Sequence, residues 1–326
     1  ILGTAAEPAL LRRLPKERVQ VALDARDGEV VVAGWREATG RRLLERVAAL
    51  RELCGSFLVT FVEREGRLGG TDLDLARAVV AAADGTPVTI AGGVTTATEV
   101  AELDRMGADC QVGMALYTGR LGLAEAFAAP LVSDRPDGLW PTVVVDERGV
   151  ALGLAWSSAS SLAAALEQGR GIYHSRKRGP WTKGATSGAT QELLAVDADC
   201  DRDALRFTVR QSPPGFCHRD QRTCWGSDRG LGRLERRLAA RLSERPGPRA
   251  AASHTRRLAS DPALLGAKLR EEAAELASAR TPSGVAHEAA DVLYFALVRA
   301  VAAGVPLEAI EAELARRELV TTRRPC

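Results

Sequence analysis

Residues 1–132 alternate between short apolar runs and longer helical patterns, and this alternation constrains the fold more than any other feature of the chain. Runs rich in β-branched residues occupy 19–23, 56–62, 87–94 and 108–114. Between them, Leu, Val and Ala recur every three or four positions over 38–53, 73–84 and 96–107. Strands that alternate with helices favour parallel pairing, so the pattern predicts a parallel α/β sheet or barrel.

The pattern changes after this segment. Residues 133–141 are rich in Pro, Gly and Asp, which is typical of a linker. A hairpin around the turn at 147–149 follows, then a short helix that stops at Gly169 and a polar loop over 173–190. Two more strands are predicted at 192–201 and 204–211. This combination predicts an α+β module.

Beyond Gly226 the chain is rich in Ala and Leu and contains few strand-forming residues. Helical patterns occupy 231–244, 262–279, 284–303 and 306–317. Segments that contain Pro and Gly divide them, at 245–250, 280–284 and 304–306. This arrangement is typical of an α-helical bundle.

Charge and composition narrow the class of protein. The 326 residues carry 44 basic and 42 acidic side chains, a formal charge of +2, so no general nucleic-acid partner is expected. No apolar run of about 18 residues and no signal peptide is seen, which predicts a cytoplasmic protein without a membrane span. Without a secretory signal, the six cysteines favour metal binding or catalysis over disulfides.

Four carboxylates crowd into residues 197–203, whose sequence is DADCDRD. If this run continues the strand before it, Asp199, Asp201 and Asp203 project to one face and Cys200 to the other. Like charges in one row repel each other. The run is therefore either a solvated loop or an oxygen cage for a hard cation such as Mg²⁺.

Two further cysteines, Cys217 and Cys224, lie in the sequence CHRDQRTC. Together with Cys200 they supply three thiols and no obvious fourth protein ligand. That set matches an open catalytic zinc site, in which water takes the fourth position. Since one strand would point its aspartates and its cysteine to opposite sides, either the strand is kinked between two metals or a second subunit completes the sites.

Residues 140–225 resemble phosphoribosyl-AMP cyclohydrolase, the enzyme of the third step of histidine biosynthesis. The resemblance is carried, in order, by YHSRKR, WTKGATSG, DCDRD and CHRDQRTCW. It implies that Mg²⁺ is bound by Asp199, Asp201 and Asp203. It also implies a homodimer, across whose interface Zn²⁺ is bound by Cys200, Cys217 and Cys224. Such a dimer would explain how one strand can point its aspartates and its cysteine to opposite sides and still contribute to both metal sites.

The chemistry of that family suits these residues. A ribosyl group on N1 of adenine makes C6 electrophilic, and zinc lowers the pKa of its bound water to about 7. Hydroxide adds at C6 and the C6–N1 bond breaks, which yields the aminoaldose ProFAR, phosphoribosylformimino-aminoimidazole carboxamide ribotide. His218 is either a proton shuttle or a surface histidine beside the zinc ligand. Trp181 either stacks on a base or packs internally. The candidates to hold substrate phosphates are Arg176, Thr182, Lys183 and Ser187.

A second set of carboxylates lies in the helical tail. Glu272 and Glu275 are three residues apart in KLREEAAEL, as are Glu288 and Asp291 in HEAADVLYF. Each pair shares a helix face, and the second lies on a nearly apolar helix, where an uncompensated carboxylate is costly to bury. The two pairs predict a Mg²⁺ cage. The alternative is a solvated acidic stripe in which Lys268 pairs with Glu272.

Residues 231–318 resemble phosphoribosyl-ATP pyrophosphatase, a relative of the all-α nucleotide pyrophosphatases with the pattern E-x-x-E…E-x-x-D. By that resemblance Mg²⁺ is bound by Glu272, Glu275, Glu288 and Asp291. Glu271 assists and Lys268 contacts phosphate. The metal would polarise the pyrophosphate and activate water for cleavage between the α and β phosphates, the second step of the same pathway.

Residues 1–125 resemble the second half of the (β/α)8 isomerase that acts on ProFAR in the fourth step. The resemblance is carried by ILGTAA, VALDARDGEVVVAGW, TIAGGVTTATEVAELDRMGAD and VGMALYTGR. It implies that Asp24 is the general acid of an Amadori rearrangement and that Thr60 lies near the substrate, both at carboxyl ends of strands. It also implies phosphate-binding backbone turns at Gly92, Gly93, Gly113 and Met114.

The resemblance begins at the fourth strand of that barrel. Five strands cannot close an eight-stranded barrel, so we expect a partial (β/α)8 barrel of strands 4–8 without isomerase activity in this chain. The expected domains are residues 1–132, 133–226 and 227–326: partial barrel, α+β cyclohydrolase module and all-α pyrophosphatase bundle.

These expectations combine into a multifunctional enzyme of histidine biosynthesis. It takes phosphoribosyl-ATP through phosphoribosyl-AMP to ProFAR, uses Zn²⁺ and Mg²⁺, and forms a homodimer through its two C-terminal domains. One alternative is a general nucleotide pyrophosphatase fused to a deaminase-like zinc domain. Another is a non-catalytic, zinc-stabilised assembly protein whose middle domain unfolds on chelation.

Overall fold

The computed structural model describes residues 1–226, 228–245 and 253–318. Two predicted segments lie partly outside the described residues. They are the Pro- and Gly-containing segment at 245–250, from residue 246 onward, and the end of the third predicted domain, at 319–326. Two compact units are distinguished: Ile1–Val143 with Leu154–Phe207, and Val144–Gly153 with the described residues from Thr208 onward.

The first sheet has six strands in the order β3-β2-β1-β4-β5-β6. Its parallel part consists of β1 (Gln20–Arg26), β4 (Ser56–Phe61), β5 (Val88–Ala91) and β6 (Ala108–Gln111). These are the four strands predicted from the β-branched runs. In β4 every second residue is buried, with Phe57 and Phe61 fully enclosed, so the strands are held by a continuous apolar core.

An antiparallel hairpin extends this sheet and makes it mixed. It consists of β2 (Glu29–Val32) and β3 (Glu37–Arg42). The helix predicted over 38–53 is therefore wrong over its first residues, and helix α2 begins at Leu43. The residues before Leu43 form strand β3 because they hydrogen-bond to β2. The Thr39 hydroxyl, for example, donates to the Val30 carbonyl at 2.8 Å. Ahead of the strands, Leu2 makes an isolated parallel bridge to Val21.

Six helices accompany this sheet. They are α1 (Pro8–Leu11), α2 (Leu43–Leu50), α3 (Leu73–Ala83), α4 (Ala97–Arg105), α5 (Met114–Tyr117) and α6 (Leu123–Ala128). The predicted helices at 73–84 and 96–107 correspond to α3 and α4. Helix α4 begins with a capping box, in which the Thr96 hydroxyl and the Glu99 carboxylate satisfy each other's backbone amides.

The α+β segment contains a four-stranded sheet in the order β11-β12-β7-β8 and a separate two-stranded hairpin, β9-β10. The strands are β7 (Trp140–Asp146), β8 (Ala151–Ser157), β9 (Ile172–Ser175), β10 (Gly179–Thr182), β11 (Gln191–Ala198) and β12 (Leu205–Gln211). The predicted hairpin and the short helix, α7 (Ala159–Gln168), are confirmed. The polar loop expected over 173–190 is wrong in part, because β9 and β10 pair there around the buried Tyr173.

The C-terminal region is helical, as its composition predicts. Its helices are α8 (Gly230–Ser243), α9 (His254–Ser260), α10 (Pro262–Ser278), α11 (Pro282–Ala302) and α12 (Leu307–Glu318). Among the described helices of this region, only α9 was not predicted. A separate apolar core joins them around Leu258, Leu265 and Val298. None of the described helices is by itself long and apolar enough to cross a membrane; α11 and α12, which bend by 113° at their junction, pass that test only as a pair.

Candidate active sites

The acidic run DADCDRD lies mostly in the turn between β11 and β12 rather than in a strand. The prediction that Asp199, Asp201 and Asp203 occupy one strand face is therefore wrong. The turn is closed by Asp199, whose Oδ1 accepts hydrogen bonds from the amides of Asp203 and Ala204, each at 3.0 Å. Its own amide donates to the Ala204 carbonyl at 3.1 Å.

The turn nevertheless gathers the three carboxylates. Ligand atoms of Asp199, Asp201 and Asp203 all lie within 4.8 Å of one another. The charge of Asp201, followed by desolvation and the charge of Asp199, raises the pKa of Asp203. Three carboxylates that repel each other in this way are a donor set suited to a divalent cation with oxygen ligands, such as Mg²⁺.

The three cysteines proposed as zinc ligands have different surroundings. Cys200 is exposed in the acidic turn, with its Sγ 3.9 Å from an Asp201 carboxylate oxygen. Cys217 is buried and its Sγ lies 4.0 Å from Nδ1 of His218. Cys224 is exposed. Among the described residues, two groups of three or more His, Cys, Asp or Glu side chains place ligand atoms within 4.8 Å of one another, and neither group contains a cysteine.

The hairpin β9-β10 and the loop after it carry the candidate phosphate ligands. Trp181 packs its ring 5.7 Å from the ring of Tyr173, which favours internal packing over base stacking for this tryptophan. Thr182 pairs with Ile172 in the hairpin, and Lys183 is buried. Ser187 is exposed and its hydroxyl accepts a hydrogen bond from the Ala189 amide at 3.4 Å.

Arg176 has a neighbour that the sequence did not single out. Its guanidinium lies 5.7 Å from the ring centre of Trp156, and that of Arg135 lies 4.2 Å from the same ring. Two cations close to one indole ring make a polar and aromatic surface suited to an anionic nucleotide. No motif signals Trp156, because its position within β8 is typical of a core aromatic residue.

The helical tail holds the second carboxylate group. Glu272 and Glu275 on α10 and Glu288 on α11 place ligand atoms within 4.8 Å of one another. Glu272 is buried, and desolvation, followed by the charges of Asp291 and Glu275, raises its pKa. A buried carboxylate surrounded by others is costly unless a cation compensates it, so this donor set also fits Mg²⁺.

Asp291 and Lys268 lie beside this group. Asp291 does not belong to the group whose ligand atoms all lie within 4.8 Å of one another. One of its carboxylate oxygens lies 3.6 Å from Nε2 of His287. Lys268 pairs with Glu271 at 2.8 Å, while the solvated-stripe alternative pairs it with Glu272. The carboxylate of Glu272 is thus left to the acidic group.

In the first sheet Asp24 and Thr60 are direct neighbours on the parallel strands β1 and β4. Oδ2 of Asp24 accepts a hydrogen bond from the indole nitrogen of Trp35 at 2.9 Å. Asp24 also lines a cavity of about 120 Å³ with Arg41 and Arg46. The two residues expected near a substrate therefore lie together, beside a cavity that contains two cationic side chains.

Two of the three glycines expected to bind phosphate adopt backbone conformations that require glycine. Gly92 and Gly93 have φ of +94° and +85°, and a Cβ on either would approach a backbone carbonyl oxygen to 2.5 Å. Gly113 precedes the short helix α5, and Met114, its first residue, is partly exposed. All four residues line one small cavity of about 30 Å³.

Three segments of the chain match models of known families. Residues 5–122 match "Histidine biosynthesis protein", residues 153–226 match "Phosphoribosyl-AMP cyclohydrolase" and residues 231–318 match "Phosphoribosyl-ATP pyrophosphohydrolase". Each carboxylate group described above lies inside a different one of the last two segments.

Similar proteins carry related names. The chain is 46% identical over 255 residues to a Histidine biosynthesis trifunctional protein of Neurospora crassa, covering 78% of this chain and 27% of that protein. It is 48% identical over 205 residues to a Histidine biosynthesis bifunctional protein of Schizosaccharomyces pombe, covering 63% and 48%. It is also similar to an imidazole-4-carboxamide isomerase of Methanocorpusculum labreanum, 41% identical over 136 residues, covering 40% of this chain and 57% of that protein.

The fold and the family matches define a multidomain chain in which a cyclohydrolase-type domain and a pyrophosphohydrolase-type domain follow a mixed α/β domain. In order, the domains match the Histidine biosynthesis protein, phosphoribosyl-AMP cyclohydrolase and phosphoribosyl-ATP pyrophosphohydrolase families, and the two fungal relatives are multifunctional proteins of histidine biosynthesis. The chain spans less than half the length of those fungal relatives.

Proposed function

We propose that this chain catalyses two consecutive hydrolytic steps of histidine biosynthesis. Its helical domain, which we place at 227–326, cleaves phosphoribosyl-ATP to phosphoribosyl-AMP and pyrophosphate. Its middle domain, at 133–226, opens the adenine ring of phosphoribosyl-AMP to give ProFAR. The domain before them, at 1–132, isomerises ProFAR only if its barrel is completed. The observation that carries the proposal is the presence of two separate carboxylate groups, each within a segment that matches the corresponding hydrolase family.

In the helical domain Glu272, Glu275 and Glu288 hold Mg²⁺, with Asp291 nearby. The ion, when bound, neutralises the charge of the diphosphate and lowers the pKa of a water. Burial of Glu272 fixes the position of its carboxylate, since a buried side chain has few alternative rotamers. Lys268, which pairs with Glu271, contacts a phosphate oxygen of the substrate.

In the middle domain Asp199, Asp201 and Asp203 hold Mg²⁺, and Cys200, Cys217 and Cys224 hold Zn²⁺, with a second copy of the chain completing the site. Zinc supplies a water whose pKa is low enough to ionise near neutral pH. His218 lies next to the proposed ligand Cys217 and moves the proton that ring opening requires. Arg176, Lys183, Thr182 and Ser187 bind the substrate phosphates, and the Trp156 surface orients the nucleotide.

Two single substitutions separate the activities. Glu275→Gln removes a ligand of the helical group and Asp201→Asn one of the acidic turn. Glu275→Gln should lower pyrophosphate release from phosphoribosyl-ATP by about 100-fold or more and leave ring opening of added phosphoribosyl-AMP intact. Asp201→Asn should do the reverse. Asp197→Asn is the matched control, because Asp197 belongs to the same acidic run but pairs with Arg206 at 3.0 Å.

Three results contradict the proposal. If each variant loses both activities, the two groups are not separate sites. If neither does, the carboxylates are surface features. If the parent chain hydrolyses deoxynucleoside triphosphates but leaves phosphoribosyl-ATP intact, the general pyrophosphatase alternative is correct.

A further inference from the structure

Arg202 links the acidic turn to the preceding domain. It lies between Asp201 and Asp203 in the sequence, and its guanidinium donates through Nε and Nη2 to Oδ1 of Asp104, at 3.1 Å and 2.6 Å. Asp104 lies near the end of helix α4, 98 residues earlier in the chain, within the segment that matches the Histidine biosynthesis protein family. Both residues belong to the same compact unit.

The backbone of Arg202 is held as well. Its φ of +66° is the left-handed conformation, which a non-glycine residue keeps only where its surroundings impose it. The Val132 amide donates to the Arg202 carbonyl at 2.9 Å. Two contacts, one from the α4 carboxylate and one from the segment that leads to β7, therefore fix the residue that separates two of the proposed Mg²⁺ ligands.

The hydrogen bonds within the turn do not fix Arg202. They join Asp199 to Asp203 and Ala204, so they close the base of the turn and leave the Arg202 side chain out. Without a cation, the three carboxylates repel one another and favour a wider turn. The charge of the Arg202 guanidinium interacts with that of Asp199 and so offsets part of that repulsion. Its anchor on Asp104 restrains the backbone on which Asp201 and Asp203 are mounted.

We propose that Asp104 and Arg202 form a positioning pair, by which the domain of α4 holds the Mg²⁺ turn of the cyclohydrolase domain ready for the metal. The inference rests on the proposed cyclohydrolase function. It gives the first domain a role in this chain that needs no isomerase activity. The pair lines a cavity of about 530 Å³ together with Asp109 and Asp197, so water reaches the pair. Loss of a solvated ion pair costs little stability, so removing this pair should loosen the turn rather than unfold the protein.

The test compares Asp104→Ala with Asp104→Glu, which keeps the carboxylate, and with Arg206→Ala, which removes the neighbouring surface pair with Asp197. Hydrogen exchange of the metal-free chain follows the amides of 199–204. Electron paramagnetic resonance follows Mn²⁺ binding to the turn in a background of Glu272→Gln and Glu275→Gln, in which the helical group is disabled. Cyclohydrolase and pyrophosphatase rates are measured against free Mg²⁺ in chains without that background.

Asp104→Ala should accelerate exchange in the turn and weaken Mn²⁺ binding by about 10-fold or more, the usual effect of removing a residue that supports metal ligands. Its cyclohydrolase rate should fall at limiting Mg²⁺ and recover at saturating Mg²⁺, with pyrophosphatase unchanged. Asp104→Glu should restore most of the affinity, and Arg206→Ala should match the parent chain.

Unchanged exchange and unchanged Mn²⁺ affinity in Asp104→Ala would overturn the inference while leaving the proposed function intact. A parent chain whose turn binds no Mn²⁺, or that never opens the adenine ring, would instead overturn the proposed function and this inference with it. If Asp104→Ala lowers the pyrophosphatase rate equally, the pair stabilises the whole chain and the positioning role is wrong.

Discussion

Gly184 gives a quantitative test of the loop that carries the proposed phosphate ligands. Its φ is +80°, and a Cβ there would lie 2.3 Å from the carbonyl carbon of Ala189 and 2.4 Å from the amide nitrogen of Thr190. Both are backbone atoms, so the loop itself would have to shift. Gly188 is a matched control in the same loop, because its φ is +75° and a Cβ there would meet nothing within 4 Å.

The two substitutions therefore separate backbone strain from steric clash. Gly188→Ala bears only the cost of a left-handed alanine, about 1–2 kcal/mol. Gly184→Ala adds the displacement of packed backbone, so the free energy of opening this loop should fall by about 3 kcal/mol. At 1.4 kcal/mol per factor of ten, exchange of the loop amides should accelerate about 10-fold in Gly188→Ala and about 100-fold in Gly184→Ala.

Hydrogen exchange with mass spectrometry of peptides that span 183–190 measures both values in the intact chain. The Michaelis constant for phosphoribosyl-AMP should rise in Gly184→Ala, because Lys183 and Ser187 flank the displaced backbone. Equal exchange rates in the two variants would refute the reasoning, since only one of them introduces a clash.

Three further predictions follow from individual side chains. Burial raises the pKa of Tyr173, so this tyrosine ionises at lower pH in the unfolded chain than in the folded one. The free energy of unfolding should therefore fall by about 1.4 kcal/mol per pH unit above pH about 10. Alkaline denaturation should lose this slope in Tyr173→Phe and keep it in Tyr117→Phe, because Tyr117 is exposed. Cys200→Ser should reduce bound zinc and ring opening, both measured on purified protein, with pyrophosphate release unchanged; equal zinc content in variant and parent would contradict its role. Desolvation and the charges of Asp291 and Glu275 raise the pKa of Glu272, so Glu272→Gln should raise the melting temperature of the metal-free chain while abolishing pyrophosphate release, and a lower melting temperature would refute that assignment.

The parallel strands and most helices were predictable because their buried faces require apolar residues at a regular spacing in the sequence. β1, β4 and β5 alternate or cluster apolar residues, and α10 and α11 continue for many turns in segments rich in Ala and Leu. The hairpin strand β3 was missed because EATGRR is polar and largely exposed, and it is held by pairing with β2. Local composition contains no trace of such pairing.

The candidate sites were predictable where spacing along one helix or one turn brings residues together. Glu272 and Glu275 share a face of α10, and their approach to Glu288 follows from the packing of α10 against α11. The acidic turn was assigned to a strand because alternation of Asp with other residues imitates a two-residue period. The left-handed Arg202 breaks that period, and its partner Asp104 lies too far away in sequence for any local pattern to indicate.

The central claim is that one chain performs two consecutive hydrolyses, and a single product analysis tests it most directly. The purified parent chain is incubated with phosphoribosyl-ATP, Mg²⁺ and Zn²⁺, and all products are followed in time by mass spectrometry. We predict the transient appearance of phosphoribosyl-AMP, followed by accumulation of ProFAR and pyrophosphate in equal amounts. Phosphoribosyl-ATP that remains intact with both metals present would contradict the claim.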